Sequence, residues 1–525
     1  MSDIESDIDE AIEETERLLR SQQALTEQFE GDPHRPGYHF MPPGGWLNDP
    51  TAAILWQGRY HLFYEYFPDA AYSVAEHEDG THVHLDICWG HASSADLIHW
   101  VHHPIALSPS PDVLDGSSCF SGHIVDNDGV ATIIYYGRPS GSCITTATDR
   151  QLNEWTRPQV VIPPAQEVEG SGPYGVGDPC LWREGTVWYA LGGFRDPQGG
   201  DTASLFRSQD TLHWEFLHSL YTSDRKWTTA EDDCAVPDFF PLGDRHMLLF
   251  MSHETGAQYY LGRWENEHFY PETHGHMNWP GGQLNAPKSM LDANGRRLFW
   301  GWVCEGRTRA AQRAAGWAGV LSLPRELSLH ADGELRIEPA VELERLRYNH
   351  RKRTDIHLGA DGELDLPEMR GDCLELGLTV ESDGAAELGI KLRCSPDGSE
   401  QTAIVWNPSN QTLSIDTRQS SLRTDILQPW PKPWSNLFSD PLAMFDDTRH
   451  IEVQEAPLSL TPEGPLELRV FLDRSVLEVF ANGRQCLTQR IYPDRDDSLG
   501  TVLFSKGGRA VVRTIEAWDM AAIGT

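Results

Sequence analysis

From Tyr38 onward, the chain consists of short β-like runs that Gly, Asp and Pro interrupt. A weak repeat organises these runs. Residues 93–100 and 208–214 both contain Ser-x-Asp-x-x-His-Trp, and a looser copy covers residues 148–155. The Trp spacings, 100 to 155 and 155 to 214, are 55 and 59 residues. Repeats of about 50 residues with several strands each predict propeller blades, and a sandwich of irregular strands is the alternative.

A basic stretch at residues 345–355, RLRYNHRKRTD, interrupts an acidic chain. We interpret it as a linker packed on acidic neighbours, at a domain boundary; a nucleic-acid patch is the alternative. Beyond it, apolar residues occupy every second position of one run, namely Leu466, Leu468, Val470 and Leu472. A period of two without a long helix predicts an antiparallel β-sandwich. The predicted division is an extension (1–33), a propeller (34–345) and a sandwich (346–525).

The N-terminal extension has the pattern of one helix over residues 3–30. Ile4, Ile8 and Ile12 recur at intervals of four, and Gly31 and Pro33 follow the predicted end. We interpret this helix as a docking element or a homodimer contact without chemistry.

Composition excludes several classes of function. The formal net charge of −37 disfavours nucleic acid and anionic membranes as partners. No apolar run reaches the roughly 20 residues that a membrane helix needs. The first residues lack the basic and apolar regions of a secretory signal. Nine scattered cysteines without a CxxC pair predict free thiols, so we expect a cytoplasmic protein.

The chemistry-bearing residues are carboxylates beside Pro or Cys in aromatic surroundings. They are Asp49, Asp178, Asp196 and the group Glu231, Asp232 and Asp233. The sequence has no P-loop, HExxH, GxSxG or dinucleotide fingerprint. Carboxylates among Trp and Tyr suit sugar cleavage, in which one ionised acid attacks the sugar and another protonates the departing oxygen. An isolated Asp-Pro is also a common turn signal.

Several motifs together resemble glycoside hydrolase family 32, the invertases, inulinases and levanases. They lie at residues 41–68, 89–100, 120–122, 316–319, 323–327 and 472–493. The resemblance implies a five-bladed β-propeller followed by a β-sandwich, with the site in the axial funnel. It implies retaining cleavage of β-fructofuranosides, such as sucrose or fructans, without cofactor or metal.

The resemblance also assigns roles to single residues. Asp49 matches the covalent nucleophile. The family's transition-state stabiliser lies in an Arg-Asp-Pro motif, and two sites compete for it. Asp196 matches the letters, whereas Asp178 matches the position before a strand, Thr186 to Gly193. We therefore choose Asp178, although Gly177 replaces the expected Arg.

The acid/base position departs from the family's Glu-Cys-Pro-Asp. If Pro237 and Asp238 anchor the motif, at least two residues are inserted before them. In a strand, residues 231 and 233 would point the same way. We therefore favour Glu231 for its type and reach, with Asp233, which precedes Cys234, as the alternative.

Five further residues are expected to contact the sugar: Asn48, Glu65, Trp89, Phe120 and Ser121. Glu65 replaces a Gln of the usual opening motif. Two other functions stay open. A fructosyltransferase or anhydride-forming enzyme would use the same intermediate, and a non-catalytic carbohydrate-binding protein would have lost an acid.

Overall fold

A computed structural model describes residues 29, 31–68, 87–109, 118–164, 174–196, 198–426, 451–460 and 464–523. The helix predicted over residues 3–30 lies outside these ranges, apart from Phe29 in a turn. The described residues fold almost entirely into antiparallel sheets.

Five sheets of four or five strands occupy residues 45–339. The first contains β1 (Gly45–Trp56), β2 (Arg59–Phe67), β3 (Cys88–Ser94), β4 (Trp100–His102) and β19 (Trp317–Ala318). The second contains β5 (Ser118–Asn127), β6 (Val130–Arg138), β7 (Gly141–Thr146) and β8 (Gln159–Ile162). The third contains β9 (Gly177–Glu184), β10 (Val187–Arg195), β11 (Asp201–Ser208) and β12 (Glu215–Ser219).

The remaining two of these sheets follow in chain order. The fourth contains β13 (Ala235–Leu242), β14 (Arg245–Ser252), β15 (Gly256–Glu265) and β16 (His268–His276). The fifth contains β17 (Leu284–Leu291), β18 (Arg297–Val303), β20 (Val320–Leu321), β21 (Arg325–Leu329) and β22 (Leu335–Pro339). A short helix α1 (Arg309–Ala315) precedes β19; it is capped by Thr308 and ends at Gly316 in the left-handed region.

The first strands of these five sheets, which we call the ring strands, contact one another in cyclic order. β1 contacts β5, β5 contacts β9, β9 contacts β13, β13 contacts β17, and β17 returns to β1. The ring strands therefore surround a common centre. A side chain that points from a ring strand towards this centre lies near side chains from the other sheets.

Every ring strand contains the same irregularity, a bulge in which two residues are skipped in the pairing with the next strand. The five skipped pairs, in chain order, are Asn48-Asp49, Phe120-Ser121, Asp178-Pro179, Val236-Pro237 and Ala286-Pro287. Three of the pairs open with a residue at φ 44°, namely Asp178, Val236 and Ala286. The bulge is thus a repeated device that re-aims side chains where the sheets meet.

The sequence repeat is a turn between the third and fourth strands of the first three sheets. In the first copy Asp96 accepts from the backbone N–H groups of Ile98 and His99, at 3.1 and 2.9 Å. Asp210 accepts in the same way from Leu212 and His213, at 3.0 and 2.9 Å. In each copy the Trp indole donates to the carbonyl three residues earlier. The repeat therefore marks equivalent turns in the first three of the five sheets.

Residues 347–520 form two six-stranded sheets. One contains β23 (Arg347–Leu358), β25 (Cys373–Asp383), β30 (Leu466–Asp473), β31 (Val476–Ala481), β32 (Gln485–Arg490) and β34 (Arg509–Met520). The other contains β24 (Glu363–Asp365), β26 (Glu387–Cys394), β27 (Thr402–Asn407), β28 (Thr412–Asp416), β29 (Val453–Pro457) and β33 (Gly500–Lys506). Short 3₁₀ turns cover Val341–Leu346 and Pro367–Met369. The alternating leucines predicted for the sandwich lie in β30 and are buried in a core shared by both sheets.

Residues 347–355 of the basic stretch lie in strand β23, so the interpretation of this stretch as a linker is wrong. β23 pairs with β34 along its length. Its cations contact acids as expected, since Arg351 pairs with Asp519 at 2.7 Å and Arg347 with Glu375 at 2.7 Å. All nine cysteines are free thiols. Among the described residues, no helix has the length and apolar character needed to cross a membrane.

Candidate active site

The bulges bring carboxylates from separate ring strands to one centre. Asp49 leaves β1 in its bulge, and Asp178 leaves β9 in the equivalent position. The two side chains interact electrostatically, and both residues keep some exposed surface. Asp178 also accepts a hydrogen bond from the backbone N–H of Val236 in the neighbouring ring strand. Two acids that are 129 positions apart in the chain (178 minus 49) therefore face the same space.

Ser121 connects Asp49 to a third acid, Glu65. Its Oγ lies 3.1 Å from Oδ2 of Asp49 and 3.1 Å from Oε1 of Glu65. A hydroxyl has one proton and can donate to one acceptor at a time. Glu65 is 4% exposed, in contrast to Asp49.

Burial, helped by neighbouring negative charge, shifts the pKa values of all three acids upward. Burial, followed by the charge of Asp178, raises the pKa of Asp49 to about 7. Burial raises the pKa of Asp178 to about 6. Burial and the charges of Asp49 and Asp178 hold the pKa of Glu65 well above its usual range. The raised pKa of Glu65 favours its protonated form, in which its O–H can donate to Ser121 while Ser121 donates to Asp49.

Two cations oppose this negative charge. Lys288 follows the bulge of β17 and is 1% exposed, and its charge favours the ionised forms of Asp49 and Asp178. His253 follows the last residue of β14 and acts on the same two acids. Neither residue belongs to the predicted site. Lys288 directly follows Pro287 of the β17 bulge, whereas no sequence signal marks His253.

The structure separates the two expected acid/base residues. Glu231 lies in a turn, with 57% of its side chain exposed, and pairs with Arg195 at 2.8 Å. Asp233 is completely buried and accepts two hydrogen bonds from His253, one from the backbone N–H at 2.8 Å and one from Nδ1 at 2.7 Å. The prediction that Glu231 and Asp233 lie on one face of a strand is wrong, because β13 begins only at Ala235.

The bulge also changes the alignment of this segment. Pro237 is skipped in β13 and Asp238 resumes the pairing with β14, as in the other ring strands. Counting back from Pro237-Asp238 without an insertion puts Ala235 at the Glu of the motif Glu-Cys-Pro-Asp. The bulge of β13, which consists of Val236 and Pro237, therefore contains no carboxylate.

The predicted sugar contacts divide into two groups. Glu65 and Ser121 reach Asp49, and Asn48 occupies the same bulge as Asp49. Trp89 is 0% exposed and donates from its indole to the carbonyl of Phe120 at 3.0 Å. An indole with no exposed surface supports the bulge of β5 and does not stack on a sugar in this arrangement. Phe120 is partly exposed.

Arg195 and Asp196 lie at the C-terminal end of β10, near the pairing of Gly193 with Gly177. Arg195 is the last residue of β10, so this strand continues beyond the predicted end at Gly193. Asp196 follows in the turn and accepts from the backbone N–H of Gln198 at 2.7 Å. Arg195 contacts Glu231, as noted above. Pro197 lies outside the described residues.

Among the described residues, one trio has spacing suited to a metal ion. His123, Cys180 and Asp238 place ligand atoms within 4.8 Å of one another. Asp238 already accepts from the N–H and hydroxyl of Ser289, at 2.7 and 2.6 Å. The positive charges of Lys288 and Arg297 act on this trio, where they oppose a further cation. We interpret the trio as a structural contact between sheets.

A ring of strands that presents clustered carboxylates of raised pKa suits the cleavage of glycosides. Comparison with known proteins agrees. The model for the glycosyl hydrolases family 32 N-terminal domain matches residues 39–339, and that for the family 32 C terminal matches residues 342–519. The chain belongs to glycosyl hydrolases family 32.

Individual relatives cover most of the chain. It is 29% identical over 524 residues to sucrose-6-phosphate hydrolase of Zymomonas mobilis, covering 92% of each chain. It is 32% identical over 428 residues to sucrose-6-phosphate hydrolase of Salmonella typhimurium, covering 75% of this chain and 86% of the relative. The crystal structure of fructan 1-exohydrolase IIa from Cichorium intybus has a TM-score of 0.78 at 25% identity, covering 94% and 98%.

Proposed function

We propose that the chain is a retaining hydrolase that releases fructose from β-fructofuranosides. The supporting observation is the placement of Asp49 and Asp178 at one centre, from two bulges of equal construction. The relatives named sucrose-6-phosphate hydrolase and fructan exohydrolase add to this support. The proposed partner is therefore a small fructoside or a fructo-oligosaccharide.

In the proposed reaction, Asp49 attacks the anomeric carbon and forms a covalent fructosyl ester, which water then hydrolyses. Ser121 donates to Asp49 and keeps its carboxylate oriented. Asp178 is proposed to hydrogen-bond sugar hydroxyls and to stabilise positive charge at the transition state. Lys288 favours the ionised state of both acids, which the attack requires.

The acid/base group is proposed to come from the segment before β13. The burial of Asp233 and its link to His253 favour it over Glu231, whose carboxylate is exposed and paired with Arg195. Asn48, Phe120 and Glu65 remain proposed sugar contacts, with Trp89 as support beneath Phe120.

We further propose that the five sheets form a five-bladed propeller and that the two six-stranded sheets form a sandwich. The cyclic contacts of the ring strands support the blade number. The proposed domains are residues 34–345 and 346–525. Free thiols at all nine cysteines support a reducing compartment such as the cytoplasm, and the charge of −37 supports a protein without nucleic-acid or membrane partners.

Chromatography of the products from sucrose, its 6-phosphate and short fructans tests the activity. Free fructose as the main product is expected. Oligosaccharides longer than the substrate would instead indicate fructosyl transfer, and no product from any substrate would indicate a binding protein. Proton NMR of the first fructose released should show the β-anomer, since double displacement retains configuration.

A further inference from the structure

The charged residues of this chain are unequal in number and in type. Asp and Glu together number 79, Lys and Arg together number 42, and only six of the bases are lysines. Like charges repel one another across a folded surface, so a net charge of −37 works against the compact state. The conditions under which the chain folds therefore depend on how its acids are compensated.

Acids in both parts of the molecule share single arginines. On the fourth sheet, Arg263 binds Glu265 at 2.9 Å and Glu272 at 2.7 Å, and all three side chains are exposed. A guanidinium presents its donors in a planar fork, so it can bind more than one carboxylate. Each such group keeps one negative charge uncompensated. The same arrangement, with two acids on one arginine, recurs at Arg207, Arg296, Arg484 and Arg495.

Other exposed acids have no cation bound to them. Four examples lie in separate places: Glu154 in the turn between β7 and β8, Asp244 between β13 and β14, Glu455 in β29, and Asp496 after β32. Among the residues that the structure describes, none of these four side chains makes a hydrogen bond or an ion pair. The uncompensated charge is therefore spread over the surface and is not confined to one cluster.

Salt acts differently on the attractive and the repulsive interactions of this surface. The screening length is about 10 Å at 0.1 M salt and about 3 Å at 1 M. The ion pairs of Arg263, at 2.7 and 2.9 Å, are as short as the screening length in molar salt. Repulsion between acids on separate elements acts over longer distances, so salt removes it first. A net charge of −37 makes this repulsion the larger of the two terms.

We propose that the fold of this protein depends on molar monovalent salt, and that ionic strength sets the fraction of the chain that is folded. At low ionic strength, repulsion among the uncompensated acids lowers the free energy of unfolding. In molar salt, screening removes this repulsion, and the groups around single arginines keep their contacts. Diffuse counterions suffice for this effect, and no ion needs a fixed position. The inference is independent of the proposed function.

Thermal unfolding of the full chain, followed by circular dichroism, tests the proposal. We expect the melting temperature to rise by roughly 10 °C or more between about 0.1 M and about 2 M KCl. An unchanged or lower melting temperature in about 2 M KCl would overturn the proposal. The measurement uses no substrate, so failure of the proposed function would leave its result unaffected.

A variant of lower charge separates screening from the strengthening of apolar burial, which some salts cause in any protein. It combines Glu154→Lys, Asp244→Lys, Glu455→Lys and Asp496→Lys. Each substitution changes the charge by two, so the four change the net charge from −37 to −29. We expect the variant to melt above wild type in about 0.1 M KCl, and the difference to shrink in about 2 M KCl.

The matched control keeps the charge at the same four positions. It combines Glu154→Asp, Asp244→Glu, Glu455→Asp and Asp496→Glu, and its melting temperature should follow that of wild type at both salt concentrations. An equal rise with salt in the lysine variant and in wild type would contradict the proposal, because that rise would not depend on charge.

Magnesium ions distinguish screening from binding at discrete sites. About 10 mM MgCl₂ adds little ionic strength, so it should raise the melting temperature far less than about 2 M KCl does. An equal rise in the two solutions would assign the stabilisation to a few bound cations and would overturn the proposal.

Discussion

Two clusters of buried carboxylates lie in this molecule, and they are built in opposite ways. One cluster lies where the two six-stranded sheets contact the five smaller sheets. There Asp473 accepts from the backbone N–H groups of Tyr38 and His39, at 2.8 and 2.9 Å, and from Nδ1 of His39 at 2.8 Å. Glu478 accepts from Arg325 at 2.6 Å and from Nε2 of His39 at 3.1 Å. Despite complete burial, these partners lower the pKa of both acids.

At the centre of the ring strands, the carboxylates have fewer partners that compensate their charge. Asp49, Glu65 and Asp178 face one another and have raised pKa values, and the hydroxyl of Ser121 lies between Asp49 and Glu65. Charge at the interface is compensated by partners and holds the two units together. Charge at the centre is left partly uncompensated, so it is available to a substrate.

Removal of the proposed nucleophile should give the largest effect and separates activity from stability. We expect Asp49→Asn to lower kcat by about 10⁴-fold or more, since the attacking oxygen is lost. The melting temperature should stay the same or rise, because an ionised Asp49 is disfavoured in the folded state. Steady-state kinetics and calorimetry measure the two quantities. A large loss of stability would show that the centre is structural, as the interface is.

Removal of an acid at the interface should have the opposite effect, because it should lower stability and leave kcat unchanged. Glu478→Ala leaves Arg325 and His39 buried without their carboxylate, which typically destabilises a protein by about 3–5 kcal/mol. Urea denaturation measures this change. The folded fraction should keep its kcat. Glu467→Ala on the neighbouring strand β30, where the residue is exposed, is the control and should change stability little. A comparable effect of both substitutions would contradict the comparison.

The next expected effect distinguishes the two Asp-Pro sites. Asp178→Ala should lower kcat/KM about 10²–10³-fold, the usual range for one lost stabilising group. Asp196 caps an exposed turn, so Asp196→Ala should change kcat/KM about twofold at most. Kinetics on one fructoside compare the two. The reverse ranking would move the site from the bulge of β9 to the end of β10.

The sequence could predict those features of the molecule that depend on residues close together in the chain. The turn around Asp96 is specified by hydrogen bonds within four residues, and the alternation in β30 by its two faces. Asp49 and Asp178 could be predicted because each lies beside a proline in a recognisable motif.

The segment before β13 could not be predicted in the same way. The link between Asp233 and His253 joins residues 20 positions apart through the pairing of β13 with β14. The bulge that shifts Val236 and Pro237 is visible only in strand register. Glu231 was preferred by residue type, but the turn that holds it against Arg195 depends on the neighbouring sheet.

The smallest expected effect concerns Glu65 and tests how the centre holds its charge. A carboxylic acid that keeps its proton has the shape and one donor of a glutamine amide. Glu65→Gln should therefore change kcat only a few-fold, although a buried acid beside the nucleophile is replaced. Glu65→Ala, which removes the link to Ser121, should lose more.

The pH dependence of stability gives the direction in which Glu65→Gln should change the melting temperature. The folded-state pKa of Glu65 is raised above 4.5, so its contribution is present below pH 4.5 and is lost as the pH rises towards the folded value. Glutamine does not titrate. The melting temperature of Glu65→Gln should therefore match wild type near pH 4.5 and exceed it at pH 8. A constant difference across this range would mean that Glu65 is ionised in the folded protein, and that the charge at the centre is compensated after all.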